Sequence, residues 1–397
     1  MGRYVRGTKR GMEMVKKKKG WPVLAAGAAM LLFSGVPSAW GVFRKPAAEE
    51  YGFGDSQSAF VLNLTVAAFG VGCVLGGLLQ DKKGPRAACL IGSGLLAAGF
   101  CAAAACPAGA MWLFYLGFCL PAGLGCAFLY PAVMSCVQQW YADKKGLATG
   151  AAGVGFGLSG LALTLIVRWT SGMWGIRGSF WCLAALTAIV CGGGSLVMTL
   201  PPAGPKGEKA GLAPRQVLVS RDYRWLTAAV ALATPAVLLF SPRIVEMGQQ
   251  RGLEQNAAIW AVALGAACNA AGRLACPAVS DRLGRRRTAR LLLWGLAGLS
   301  VAFAFARGWW FLAGYGALCF FYSGQAALLP SFVTDLFGPG WAGVNYGLTA
   351  LGMTAGSLAF PLALELAGGD WPRHLTAALA AAAGAFCYRR LPEKEKH

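Results

Sequence analysis

Residues 76–86 read GGLLQDKKGPR, and residues 280–286 read SDRLGRR. Both segments follow a long apolar run, and in both an aspartate precedes a short basic turn that contains a glycine. The two aspartates, Asp81 and Asp281, lie 200 positions apart. Because this interval is about half of the 397-residue chain, it predicts two similar halves.

The repeat extends to further segments at almost the same interval. A glycine lies six residues before a proline in both halves, and a run of three glycines recurs 197 positions later. Three registers within three residues of one another predict two six-helix halves of the same orientation. The repeated positions are Gly125 and Pro131 with Gly324 and Pro330, and Gly146, Gly150 and Gly155 with Gly343, Gly347 and Gly352.

The composition indicates a chain embedded in a membrane. Of its residues 56% are apolar and only 13% are charged, too few to cover a water-soluble domain of this size. Charge clusters alternate with apolar stretches of about 20 residues, the length of a membrane-crossing helix. The predicted fold is an all-α membrane protein with twelve transmembrane helices in two pseudo-symmetric six-helix bundles. The predicted helices cover about 23–43, 58–79, 87–106, 111–134, 146–167, 178–199, 225–241, 256–279, 289–306, 309–333, 342–366 and 371–388.

The net charge of +20 is distributed by membrane side. With the N-terminus inside the cell, 27 of the 36 basic residues fall in inner segments and only eight in outer loops. This asymmetry predicts a multi-pass protein of the cell inner (plasma) membrane with both termini in the cytoplasm. The positive charge therefore reports topology, and we expect the lipid bilayer rather than nucleic acid as its partner.

The repeat also divides the chain into domains. We expect an N-terminal bundle over 1–200, a cytoplasmic linker over 201–223 and a C-terminal bundle over 224–397. Parallel halves place a solute site near the midplane between them, where rocking exposes it to either side. The 13 cysteines and the two histidines, His374 and His397, show no metal-ligand spacing, and no nucleophile is paired with a base. The sequence predicts a transporter without metal or cofactor, and no enzyme.

The paired Asp-x-x-Gly-x-Arg loops resemble the signature of the major facilitator superfamily, over nearly the whole chain. Within it, the sequence is similar to the oxalate/formate antiporter family and to monocarboxylate transporters. That narrower resemblance implies a carrier of small carboxylates. It is carried by Trp40-Gly41-Val42-Phe43 with Pro46, Gly123-x-Gly125-x4-Tyr130-Pro131, Trp140 with Lys145-Gly146-x2-Thr149-Gly150, Ser241-Pro242, Asn269-x2-Gly272-Arg273 and Asn345-Tyr346-Gly347.

Arg273 is the basic residue that lies inside a predicted span and away from both of its ends. It is eight residues before Asp281, so its Cα lies roughly 12 Å from the loop along the helix axis, close to midplane. A guanidinium at this depth needs a polar partner, and its planar fork suits a carboxylate. Asn269, four residues earlier, shares its face and can bind the same solute. Two alternatives are snorkelling toward the headgroups and pairing with Asp281.

Further pocket residues are implied by the resemblance. Tyr130 and Tyr322 match family positions that line the path from the two halves, and Gln325 lies one turn from Tyr322. Ordinary packing between helices is the alternative for each. Four further aromatic residues lie near span ends, where we expect interfacial anchors rather than ligands: Trp40, Phe43, Trp140 and Tyr141.

Two departures from the family refine the predicted function. Oxalate carriers place a lysine after the Asn-Tyr-Gly run, but Thr349-Ala350-Leu351-Gly352 is uncharged, which favours monocarboxylates over a dianion. Proton-coupled relatives carry an aspartate where this chain has Asn269, which disfavours symport and leaves Glu365 as the other proton carrier. We therefore expect a secondary active transporter of small organic anions that works by exchange, as a monomer. A proton-coupled symporter or a carrier of neutral solutes or drugs is the alternative.

The two repeated loops are the candidate gates. Asp81 with Arg86, and Asp281 with Arg285, head a basic segment at the cytoplasmic end of each half. We expect these carboxylates to hold neighbouring spans together when the carrier faces outward, through the arginines or through helix N-termini.

The topology can be tested by labelling. A cysteine at Pro205 in the central loop should resist a membrane-impermeant thiol reagent in sealed right-side-out cells and react after the cells are opened. The parent protein reports the background from the native cysteines. Labelling of Pro205→Cys in sealed cells would contradict the twelve-span topology.

Overall fold

A computed structural model describes residues 20–201, 211–367 and 371–392. Within these ranges the chain is helical and forms no strand. We label twelve helices, two of which are interrupted. They are α1 (20–33 and Val36–Tyr51), α2 (Asp55–Lys83), α3 (Pro85–Ala105), α4 (Met111–Trp140), α5 (145–174), α6 (176–197), α7 (Arg221–Ala233, Pro235–Leu238 and Ile244–Gln250), α8 (Gln255–Leu283), α9 (Arg285–Phe305), α10 (Trp309–Phe337), α11 (Ala342–Ala367) and α12 (Trp371–Arg389).

Eight helical stretches in the described residues are long and apolar enough to cross a membrane. One of them, Ala142–Val197, has 56 residues and is broken at Gly175, where φ is 67° and ψ is −177°. That backbone conformation is accessible to glycine because glycine has no Cβ. The break separates α5 from α6, as the predicted spans 146–167 and 178–199 require.

The first helix of each half is interrupted at matching positions. α1 breaks at Ser34 and Gly35, and α7 breaks at Thr234 before Pro235, 200 positions later. Proline lacks the amide hydrogen that would continue the helical ladder, which accounts for the second break. The predicted pseudo-symmetry of the two bundles is therefore visible in local backbone irregularities as well as in helix order.

The two halves meet along two helix pairs, α2 with α11 and α5 with α8. Glycines let these backbones approach closely, as small residues do in membrane helix packing. A Cβ added at Gly150 would lie 2.7 Å from the carbonyl oxygen of Arg273, and one at Gly157 would lie 2.6 Å from the Cα of Ala270. The repeated Gly347 likewise packs against the backbone of Cys73. Gly155 differs, because it contacts Ala28 within its own half.

The second part of the predicted linker is built into the C-terminal half. Of the range 201–223, residues 202–210 lie outside the described residues. Pro214–Val219 forms a short helix, and α7 begins at Arg221. The amide of Leu212 donates to the carbonyl of Phe337 at 2.8 Å, and the Asn345 amide donates to the Leu212 carbonyl at 3.1 Å. Residues after 211 therefore follow the C-terminal bundle.

Trp40 and Phe43 are not interfacial anchors, and that expectation was wrong. Their side chains are 3% and 0% exposed. The Trp40 indole donates to the Ser58 carbonyl at 2.9 Å, and the Phe43 ring stacks on Phe180 at 5.6 Å. Both rings therefore lie in the aromatic core of the N-terminal half.

Candidate functional site

Arg273 lies buried between the two halves, with 5% of its surface exposed. It is carried by α8, which packs closely on α5 through Gly150 and Gly157. Its Nε donates to Oδ1 of Asn269 at 2.9 Å, one helical turn away on the same helix. Its Nη1 donates to the Tyr130 hydroxyl of α4 at 3.2 Å. The guanidinium therefore bonds to both halves at once.

Aromatic rings surround the guanidinium. The ring of Phe156 on α5 lies 4.7 Å from the Arg273 Cζ, in the geometry of a cation–π contact. Tyr130 packs edge-on against Phe156 at 5.1 Å and stacks with Tyr346 of α11 at 5.9 Å. Tyr346 therefore packs on the same tyrosine whose hydroxyl accepts from Arg273. Helices from both bundles thus contribute to one aromatic, cationic site.

Neither alternative interpretation of Arg273 agrees with its geometry. Its burial excludes snorkelling to the headgroups. The Asp281 carboxylate is 2.7 Å from Arg285 Nη2 and does not pair with Arg273. Among the described residues, no carboxylate forms an ion pair with Arg273, and its hydrogen-bond partners are neutral. The positive charge at the centre of the interface is left for an anion to neutralise.

The structure brings together three of the five predicted pocket residues, because Asn269 and Tyr130 contact Arg273 directly. Tyr322 is partly buried on α10. Gln325 is different, because its Nε2 donates to the Tyr388 hydroxyl of α12 at 3.1 Å. That contact turns its amide into the C-terminal bundle, so the packing interpretation fits Gln325 better.

Two site residues, Phe156 and Tyr346, were missed from sequence. Tyr346 carried a signal, since it is the tyrosine of the Asn-Tyr-Gly run and shares its half with Tyr322. Phe156 carried none, because it is an isolated phenylalanine in a glycine-rich span. Its contact with Arg273 depends on how α5 and α8 cross.

The two repeated aspartates bind helix N-termini of the opposite half. The Asp81 carboxylate at the end of α2 accepts from the amides of Gly343 and Val344 at 3.2 and 2.9 Å, in the first turn of α11. Asp281 at the end of α8 accepts from the amide of Leu147 at 3.2 Å, in the first turn of α5. A carboxylate at a helix N-terminus satisfies unpaired amides and interacts favourably with the helix dipole.

The arginines of the two loops behave differently. Arg285 bonds to Asp281, and its Nε also lies 3.2 Å from Asp335 Oδ2 at the end of α10. Lys145 Nζ lies 3.9 Å from the other oxygen of Asp335 and extends the network to α5. Arg86 has an exposed side chain, and the contacts to Asp81 described above come from backbone amides. Asp335 was not foreseen, since its loop lacks the repeated motif.

A buried polar layer lies between these gates and Arg273. The Gln138 amide donates to Thr149 Oγ1 at 3.2 Å and accepts from Thr334 Oγ1 at 3.1 Å. The hydroxyls of Thr149 and Ser331 are 3.4 Å apart. These bonds join α4 and α5 to α10 and, with the two aspartates, close this end of the interface. Among the described residues no group of three or more potential metal ligands lies together.

Two helical bundles that contact each other at one end and share a buried site between them are typical of membrane transporters. The model of the Major Facilitator Superfamily matches residues 22–361. The chain belongs to this superfamily, and it is a multi-pass membrane transporter rather than an enzyme.

Similar proteins agree with this assignment. The oxalate:formate antiporter of Oxalobacter formigenes is 25% identical over 347 residues, 80% of this chain and 77% of that protein. Monocarboxylate transporter 11 of Homo sapiens is 26% identical over 269 residues, 66% of this chain and 56% of that protein. The solved structure of the proton:xylose symporter XylE has a TM-score of 0.74 at 14% identity and covers 95% of this chain and 97% of that one. The likeness to XylE concerns the fold alone.

Removing one gate charge should open the end of the interface that these residues close. Asp81→Asn and Asp281→Asn keep the shape but lose the charge at the helix N-terminus, which is worth about 1–2 kcal/mol in partly buried positions. The equilibrium should shift about five- to thirtyfold toward the open state. Spin labels are attached to cysteines introduced at the exposed residues Lys83 and Leu283, after the native cysteines that react with the label have been replaced. The distance between the two labels reports the change.

The matched control is Asp143→Asn, because Asp143 is an exposed aspartate in the turn between α4 and α5. Its distance distribution should superpose on that of the parent. If both gate variants also superpose on the parent, the two aspartates do not hold the interface closed.

Proposed function

We propose that this protein is a secondary active transporter of small organic anions, with monocarboxylates as the favoured class and exchange as the favoured mode. The observation that carries the proposal is the Arg273 guanidinium, which is buried between the halves and bonded only to neutral partners among the described residues. A carboxylate that enters between the halves, from either side of the membrane, would meet the planar guanidinium directly.

The free energy of burial supports an anionic solute. Desolvating a cation costs several kcal/mol, and the hydrogen bonds that Arg273 donates to Asn269 and Tyr130 offset this cost without neutralising the charge. A bound carboxylate supplies the missing negative charge and can accept two parallel hydrogen bonds from the guanidinium. Phe156 and Tyr346 complete walls that fit a small planar anion. The free energy gained on binding is therefore concentrated in one ion pair.

Charge count favours a monoanion over a dianion. The helical segment of α11 that corresponds to the lysine of oxalate carriers, residues 349–352, is uncharged. The described residues that contact the Arg273 guanidinium are uncharged, so they contribute no second cation. The similarity to an oxalate:formate antiporter and to a monocarboxylate transporter supports small carboxylates as the wider class of solute.

Exchange is favoured over proton coupling because of Asn269. Its amide accepts from Arg273, and an amide does not carry a proton between the two sides. The other candidate, Glu365, has a side chain outside the described residues. If the halves move only after a bound solute neutralises Arg273, the loaded carrier changes between its two conformations more easily than the empty carrier does. Such a carrier exchanges one anion for another.

The proposed cycle is alternating access in the inner membrane. The aspartate gates and the Gln138 layer hold the cytoplasmic end closed, with both termini in the cytoplasm. Opening requires α5 to slide on α8 and α2 on α11, along backbones that glycines bring into contact. The site lies within a single chain, so a monomer contains all of the residues that the proposal uses.

Arg273 should determine anion affinity. Arg273→Lys keeps a cation but loses the fork, and Arg273→Gln loses both, so affinity should fall in that order. A hydrogen bond to a charged group contributes about 1.5–3 kcal/mol, so Arg273→Gln should weaken formate and lactate binding at least about tenfold. Binding is measured as the solute-dependent rise of the melting temperature of purified protein.

The same experiment separates loss of binding from loss of folding. Without solute, Arg273→Gln should melt no lower than the parent, because it removes a buried uncompensated charge. The exposed Arg243, which pairs with Glu246, provides the control Arg243→Gln with unchanged affinity. If Arg273→Gln binds monocarboxylates as tightly as the parent, the anion-site proposal fails and a carrier of neutral solutes replaces it.

A second cation should change the preference among anions. Leu351 is half-buried on α11, the helix that carries Tyr346 beside Tyr130. Leu351→Lys should raise the ratio of oxalate to formate uptake in proteoliposomes about tenfold, or about 1.4 kcal/mol, because a second cation on α11 favours a dianion over a monoanion. Leu351→Gln controls for the polarity of the side chain. An unchanged ratio in Leu351→Lys would contradict the argument from charge count.

A further inference from the structure

Four arginines gather where α9 begins and α12 ends. Arg286 and Arg290 lie one turn apart on α9, Arg389 ends α12, and Arg390 follows it. The Arg286 Nη2 donates to the Arg389 carbonyl at 2.6 Å, which joins the two helices. We call this group the α9–α12 arginine cluster. It lies at the same end of the bundle as the Asp281 gate.

The cluster has unsatisfied hydrogen-bonding groups. The Nε atoms of Arg286 and Arg290 are buried and have no partner. Among the described residues, none of the four arginines forms an ion pair with a carboxylate. The Arg390 guanidinium instead lies 5.2 Å from the Phe386 ring. The four positive charges lie on two neighbouring helices and repel one another. Binding of an anion with several acceptor oxygens would therefore be favourable.

Apolar side chains next to the cluster face outward. Trp294 is 54% exposed and lies one turn beyond Arg290, and Leu379 of α12 is 62% exposed. Leu291 and Phe386 are also exposed on this surface. In a membrane these side chains face acyl chains. A ligand here would meet arginines at its head and apolar side chains along its tail.

Topology does not account for this concentration of charge. At the matching positions of the N-terminal half, 200 residues earlier, Arg86 corresponds to Arg286 but Leu90 corresponds to Arg290. The end of α6 carries no arginine. Because the matching positions of the N-terminal half lack these arginines, the pseudo-symmetry of the fold does not require the cluster.

We infer that the α9–α12 arginine cluster binds the phosphodiester headgroup of an anionic phospholipid in the cytoplasmic leaflet. The arginines donate to the phosphate oxygens, and the acyl chains lie along Leu291, Trp294 and Phe386. Arginine matches phosphate through paired hydrogen bonds, and each basic residue near an anionic membrane surface adds to the attraction. This site is separate from the proposed transport site at Arg273.

The test measures lipid binding to the delipidated full-length protein in maltoside detergent. Dioleoylphosphatidylglycerol and dioleoylphosphatidylcholine are titrated separately, and native mass spectrometry counts the retained lipid. The parent should retain phosphatidylglycerol at much lower concentration than phosphatidylcholine. The double variant Arg286→Gln/Arg290→Gln should lose about thirtyfold in affinity for phosphatidylglycerol, and the exposed Arg390→Gln about fivefold.

Two controls make the result specific. Arg86→Gln removes the matching charge of the N-terminal half and should leave the affinity unchanged. Inorganic phosphate at millimolar concentration should not displace the lipid. Equal affinity for the two lipids, unchanged affinity in Arg390→Gln, equal losses in Arg86→Gln and Arg390→Gln, or displacement by phosphate would each overturn the proposal. Arg390→Gln keeps it testable if the double variant does not fold, because the Arg390 side chain is exposed.

Discussion

Lipid offers no hydrogen-bond partner, so the backbone amides and carbonyls that cross the membrane must be satisfied within the protein itself. The constraint is most visible where the halves meet. The first turns of α5 and α11 expose amides that their own helices cannot satisfy, and the aspartates that end α8 and α2 accept from them. Each half therefore supplies the cap for a helix of the other. The bonds that satisfy the backbone are the same bonds that hold this end of the interface closed.

Close packing makes that arrangement possible. Asp281 reaches α5 because Gly146 leaves room for the carboxylate, and Asp81 reaches α11 beside Gly343. A side chain at either glycine would separate the backbone from its cap. The glycines along α5 and α11 thus serve hydrogen bonding as well as contact. Where glycines bring the backbones into contact, no large side chains interlock, so the paired surfaces can separate there as the proposed cycle requires.

Arg273 departs from this rule of internal satisfaction in a specific way. Its hydrogen bonds are partly satisfied by Asn269 and Tyr130, but its charge has no counterpart among the described residues. The residues around this buried charge belong to both bundles. A bound anion would therefore contact both bundles. Binding at such a site can therefore influence how the bundles sit relative to each other. The gate and the cation lie on the same helix, eight residues apart, which gives the two a direct mechanical connection through α8.

The sequence by itself determined the number and order of the helices and the two-fold repeat, because span length, charge clusters and periodic motifs are local properties that lipid imposes on any chain. It also indicated Asn269, since residues four apart share a helix face. Only the tertiary structure decided which groups meet. The partner of Asp81 is a helix 262 residues away in sequence, Asp335 joins Arg285 without any motif, Gln325 turns toward Tyr388, and Phe156 lies over Arg273. These contacts depend on how two bundles cross, and the crossing is set by close packing summed over whole helix faces, which no single stretch of sequence contains.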